Sequence, residues 1–122
     1  MTDAAATIDA AMKEETLLES VAAHLDAFNW RWFHAEVGWR KGRHVTPMRG
    51  HPGFPDIVAC RRSRLLFAEL KSQKGRLSAD QKDWAEWLEG YDWRLPGVEP
   101  GWEVYLWRPS DLRSGEISRC LR

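Results

Sequence analysis

Two carboxylates in this chain sit where strand residues are otherwise apolar, and a lysine stands two positions from one of them. In the stretch Gly53–Lys71, GFPDIVACRRSRLLFAELK, Asp56 precedes Ile57, Val58 and Ala59, while Glu69 and Lys71 close the run Leu65, Leu66, Phe67, Ala68. Side chains two apart on a strand share a face, so Glu69 and Lys71 point the same way. A hairpin folded about Arg62 and Ser63 pairs Val58 with Phe67, Cys60 with Leu65 and Asp56 with Glu69. Opposed Cβ atoms lie about 4.5–5.5 Å apart. Two carboxylates that close repel unless a cation lies between them, and such oxygen ligands suit Mg²⁺ or Mn²⁺. The chemistry such a site supports is metal-assisted hydrolysis, in which the ion neutralises charge on a substrate and acidifies a bound water. Lys71 is placed to hold the attacking water and stabilise the developing charge; its bland alternative is an ion pair with Glu69. The register is decisive, because a slip of one residue parts the two acids, and Arg-Ser is not a favoured two-residue turn pair.

Further candidates flank the hairpin. Glu14 is three and four residues before Leu17 and Leu18, on the helical face that continues through Val21, Ala22, Leu25 and Phe28. That phase makes Glu14 a candidate third metal carboxylate, with Glu15 as its rival. Glu15 and Glu19 otherwise read as favourable charges near a helix start. The Leu70 carbonyl can add a backbone ligand. Gly38–Gly53, GWRKGRHVTPMRGHPG, contains Arg40, Lys41, Arg43, Arg49 and His51 and no acid. Its Gly and Pro residues read as an irregular loop, and its charge as a phosphate grip leading into Asp56. Lys74 and Arg76 extend the basic surface. Gln81 stands three residues after Ser78, the spacing of a capping box. It also shares a helix face with Trp84, Ala85 and Leu88, which aims it inward. His34, a lone histidine on a strand, reads as structural.

The elements that must position these groups follow in order. Residues 1–12 are Ala-rich and read as a loose or partly helical tail, and residues 13–122 as one domain. A helix from Lys13 ends near Asn29. Trp30–Val37 reads as a strand, with Trp30, Trp32 and His34 alternating with Arg31, Phe33 and Ala35. The hairpin is apolar on both faces, as in a covered sheet. A helix opens at Ser78, Asp92–Gly101 is a loop with two Pro-Gly pairs, Glu103–Trp107 is a strand, and a final helix runs from Arg108 through Leu121. This αβββαβα order implies an α/β fold, a mixed sheet flanked by helices.

Composition narrows the classes. The 122 residues carry 18 basic and 18 acidic side chains, so no global field draws the chain to nucleic acid and any affinity must be local. The eight tryptophans read as core or interface residues, with a few free to stack on bases. Cys60 and Cys120 lack metal-ligand spacing, which reads as a reducing compartment without a zinc site. With no signal peptide or membrane span evident in the sequence, the expected location is the cytoplasm.

Pro55-Asp56 followed by Glu69-Leu70-Lys71 resembles the PD-(D/E)XK nuclease signature. The wider ordered set of Gly53-Phe54-Pro55-Asp56, Phe67-Ala68-Glu69-Leu70-Lys71, Gly75-Arg76-Leu77-Ser78 and Gln81 resembles its VRR-NUC (virus-type replication-repair nuclease) branch. The likeness runs from about Glu14 to Leu121; the 92–101 insertion departs from it, since family members turn sharply there. The resemblance implies a restriction-endonuclease-like core, Mg²⁺ or Mn²⁺ as cofactor and no organic one. It implies in-line hydrolysis of DNA leaving a 5′-phosphate, and roles for Asp56, Glu69, Lys71 and Gln81 in catalysis. An acid on the first helix, matched by Glu14-Glu15-Thr16-Leu17, joins Asp56, Glu69 and the Leu70 carbonyl at the metal. Small stand-alone members resemble Holliday-junction resolvases that act as homodimers on branched DNA, often phage-encoded and working in a bacterial cytoplasm. A flap, nicking or restriction-type nuclease and a non-catalytic DNA-binding module are the alternatives.

Overall fold

The computed structural model describes residues 3–35, 38–40, 43–45, 49–90, 96–97 and 99–122, with the backbone alone for 38–40 and 43–45. It is an α/β fold. The elements are α1 (Ala4–Ala11), α2 (Glu14–Ala27), β1 (Arg31–Phe33), β2 (Gly38–Arg40), β3 (Arg43–Val45), β4 (Ile57–Arg61), β5 (Arg64–Leu70), α3 (Ala79–Glu89), β6 (Glu103–Trp107), α4 (Pro109–Arg113) and α5 (Glu116–Leu121). Four strands form an open mixed sheet in the order β1-β4-β5-β6, and β2-β3 form a separate two-stranded ribbon. The β1–β4 and β4–β5 pairs are antiparallel and β5–β6 is parallel. A parallel neighbour requires a crossover, which α3 supplies.

The hairpin register is the expected one: Val58 faces Phe67, Cys60 faces Leu65 and Arg61 faces Arg64. Arg62 takes a left-handed conformation, φ 57°, to make the turn. That costs a non-glycine residue about 1–2 kcal/mol, and burial of the strand faces outweighs it. Ile57, Ala59, Leu66, Ala68 and Leu70 are all buried, under Leu17, Val21 and Leu25 of α2 and Ile117 and Leu121 of α5. The other face is not covered to the same degree, as Cys60 is exposed and Val58, Leu65 and Phe67 are half-buried. The expectation of a hairpin buried on both faces is corrected to one buried face and one lightly roofed face, because α3 carries no fully buried residue.

Other expectations are adjusted. The segment before residue 13 forms α1, capped by Asp3 and tied to α4 by the buried Asp9 carboxylate, which accepts from Arg113 Nε at 2.9 Å. The first strand stops at Phe33; the alternation expected there holds, with Trp30 buried, Trp32 and His34 half-buried, and Arg31, Phe33 and Ala35 exposed. Residues 36–37 lie outside the described residues. The stretch expected as an irregular loop contains the β2-β3 ribbon, with Gly38 opposite Val45 and Arg40 opposite Arg43. Its glycines and proline masked the β-forming Trp39 and Val45. The single final helix is two, broken where Gly115 adopts φ +84°. Within the 92–101 loop, residues 96–97 form a turn, and residues 92–95 and 98 lie outside the described residues. Trp30 and Trp107 are core, Trp32, Trp84 and Trp102 are half-buried, and Trp87 is exposed. No helix among the described residues is long and apolar enough to cross a membrane.

The strand that carries Glu69 runs into a loop held from a distance. Arg108 Nη1 donates to the carbonyls of Ser72 and Gly75 at 2.7 Å and of Gln73 at 3.3 Å. One guanidinium therefore ties residues 72–75 to the end of β6. Replacing Arg108 with Ala leaves these carbonyls to find other partners, and it should lower the unfolding free energy by about 1–3 kcal/mol. Denaturant unfolding measures this; an unchanged midpoint would mean the loop is held by something else.

Candidate active site

A glycine brings the two halves of the site together. Gly53 adopts φ +93°, and a Cβ there would come within 2.5–2.7 Å of the Asp80–Gln81 peptide. Only glycine fits at this conformation and this approach. The segment leading to Asp56 thus rests on the first turn of α3, which carries Gln81.

Asp56 stands immediately before β4. Its Oδ2 accepts the Leu70 N–H at 2.7 Å, so a side chain continues the β4–β5 pairing beyond Ile57↔Ala68. The Asp56 carbonyl faces His34 Nδ1 at 2.7 Å. A carbonyl only accepts, so Nδ1 carries the proton and His34 fixes the backbone of Asp56 from β1. The structural reading of His34 is the one this contact describes.

Glu69 points away from the Ala68 and Leu70 core face, toward α3. It is 8 % exposed, and with Asp9 it makes up the buried acids among the described residues. Its Oε1 accepts from Gln81 Nε2 at 3.0 Å. The other end of the Gln81 amide, Oε1, accepts from Ser78 N–H at 2.9 Å, and Ser78 Oγ accepts from Gln81 N–H at 3.2 Å. The capping box uses the amide oxygen and the Glu69 contact uses the amide nitrogen, so the cap and the inward aim occur together.

The electrostatics follow from burial. Removal from water pushes the Glu69 carboxyl up to about 8, the nearby Asp56 carboxylate adds to the rise, Lys71 opposes it, and the Glu14 charge adds a little more. Near neutral pH the pair is thus short of its full double charge, and it gains most from a cation stronger than Lys71. Lys71 is half-buried, with its N–H on the Trp107 carbonyl at 3.1 Å.

The donor chemistry of Asp56 and Glu69 fits a hard divalent cation. The third ligand is less complete. Glu14 is exposed at the start of α2 and its Oε1 accepts the Ser72 N–H at 3.3 Å, on the Lys71 side of the site. Among the described residues no three His, Cys, Asp or Glu side chains are grouped closely enough to hold a metal. Glu14 therefore borders the pair and does not close a triad with it in this arrangement. Glu15 is exposed.

Of the basic residues singled out, Arg49, His51, Lys74 and Arg76 are exposed. Arg40 and Arg43 lie on the ribbon, with side chains outside the described residues, as is Lys41 altogether. Sequence reasoning missed the His34 contact, the Arg108 clamp and the aromatic wall of Phe54, Phe67 and Trp84. Only the last left a signal, in the apolar face shared by Trp84 and Gln81. No family model, curated protein or solved structure matches the chain.

Without divalent cations, the unfolded chain releases the Glu69 proton near the ordinary value of 4.5 and the folded chain only near 8. In that window the folded state binds more protons, so stability falls as the pH rises. Thermal unfolding across the window should show a declining Tm for the native chain and a flatter course for Glu69→Gln. Parallel profiles would contradict the buried pair.

Proposed function

We propose that the protein is a metal-dependent, structure-selective DNA endonuclease of the VRR-NUC branch of PD-(D/E)XK nucleases. The observation that carries this reading is the meeting of Asp56, Glu69 and Gln81, with the Lys71 charge acting on the same buried carboxyl. An ion pair made for stability alone would not bury one acid against another. The helix–strand arrangement of α2, β1, the β4-β5 hairpin, α3 and β6 supports a restriction-endonuclease-like core, with α1 and the ribbon as additions.

Asp56 and Glu69 would hold Mg²⁺ or Mn²⁺, with the Leu70 carbonyl and Glu14 beside them, and the ion would neutralise the phosphodiester and acidify water. The chain's own residues do the remaining work. The Leu70 N–H fixes the Asp56 carboxylate, and Gln81 holds the Glu69 carboxylate in a fixed rotamer from a capped helix turn. Lys71 orients the water for in-line attack and offsets charge that develops on the phosphate. Arg40, Lys41, Arg43, Arg49 and His51, with Lys74 and Arg76, grip flanking phosphates. A four-way junction needs two symmetric cuts, which a homodimer would supply.

Asp56→Asn and Glu69→Gln should each abolish cleavage while circular dichroism stays unchanged, and Lys71→Ala should lower kcat by roughly 10²–10³-fold. The assay uses labelled junction, flap, nicked and linear DNA with Mg²⁺ or Mn²⁺. Full activity in either carboxylate variant would overturn the assignment. A supercoiled cruciform linearised without a nicked intermediate fits the dimeric resolvase; accumulated nicked circles favour the flap or nicking reading. Replacing Arg40, Lys41 and Arg43 together with Ala should reduce the slope of log affinity against log salt by about 0.9 for each phosphate that is no longer neutralised. An unchanged slope would remove the ribbon from the interface.

A further inference from the structure

A cavity of about 460 Å³ lies between α3 and the segment that leads to Asp56. Its walls among the described residues are Asp80, Asp83, Trp84 and Trp87 of α3, and His51 and Pro52 of the segment leading to Asp56. Positions 80, 83, 84 and 87 follow helical spacing and form one stripe. One aromatic wall is fixed, as Trp84 Nε1 donates to the His51 carbonyl at 3.1 Å and Phe54 packs edge-on against Trp84 at 4.9 Å. The other, Trp87, is 56 % exposed. The cavity shares its supports with the active site. Gly53 seats the 51–54 segment on the Asp80–Gln81 peptide, Asp56 follows three residues later, and Gln81 adjoins Asp80.

We infer that this cavity is a slot for an unpaired, amino-bearing nucleobase of the DNA cut at the neighbouring carboxylates, an inference that rests on the nuclease reading. Aromatic side chains stack on bases whatever their sequence. Asp80 and Asp83 repel phosphate, so the backbone stays outside and only a base enters. Their oxygens accept from an exocyclic amine such as cytosine N4, and thymine has none. A paired base inside a duplex presents no face to stack on. Filling the slot therefore demands an unpaired nucleotide next to the scissile phosphate. That gives selectivity for branched DNA without a helix that reads sequence.

The test measures binding of fluorescein-labelled oligo-dC and oligo-dT in EDTA to the native chain, Trp87→Ala, Trp87→Phe and Asp83→Asn. The native chain should prefer oligo-dC by about tenfold, and Asp83→Asn should level that preference. Trp87→Ala should weaken oligo-dC binding by roughly 5- to 100-fold and Trp87→Phe should retain most of it. Equal binding of the two oligomers together with no effect of Trp87→Ala overturns the slot, whether or not DNA is cleaved. Tetramethylammonium competing at lower concentration than deoxycytidine also overturns it, and assigns the cavity to a cationic side chain. A clear oligo-dC preference in a protein that cleaves no DNA with any divalent cation leaves the slot standing and removes the nuclease reading.

Discussion

Burial of Glu69 against Asp56 is the constraint the rest of the structure answers to. An acid taken from water beside another acid resists ionisation, and the Glu69 carboxyl rises to about 8 as a result. Such a pair is unfavourable in isolation. It persists because each carboxylate is held by a neutral donor, the Leu70 N–H for Asp56 and the Gln81 amide for Glu69. Neither donor cancels the charge. The arrangement keeps the pair in place, and the raised Glu69 carboxyl records the remaining repulsion.

Several parts of the scaffold hold that pair in place. The parallel β5–β6 pairing fixes Glu69 in the sheet centre, while β4 brings Asp56 to its side. Gly53 permits the close approach that sets the Asp56 segment on α3. The capping box gives Gln81 a single orientation, so its amide nitrogen is committed to Glu69. Arg108 closes the far side by holding the loop after Lys71. These contacts come from four segments of the chain, so local loosening of any one reaches the carboxylates.

The legible part of this fold was the part governed by periodicity. The hairpin register could be read by centring the turn on Arg62 and Ser63, and it sets Ile57, Ala59, Leu66 and Ala68 on one buried face despite a poor turn at Arg62. The inward aim of Gln81 could be read from its helix face. What periodicity does not encode stayed hidden. Arg108 reaches carbonyls more than thirty residues away in sequence, and nothing local marks an arginine as a clamp. Gly115 splits the last helix by a backbone conformation that the apolar spacing of Leu112, Ile117 and Leu121 does not register. The ribbon was hidden by its own glycines, and the position of Glu14 at the edge of the pair by a helix phase that says which face it occupies but not how far its carboxylate reaches.

The proposed cation site joins Asp56 and Glu69. Calorimetric titration of Mn²⁺ into the folded chain tests it without reference to any substrate. The native protein should bind the ion, and binding should disappear in both Asp56→Asn and Glu69→Gln, each still folded by circular dichroism. Mn²⁺ affinity equal to that of the native chain in both variants would contradict it.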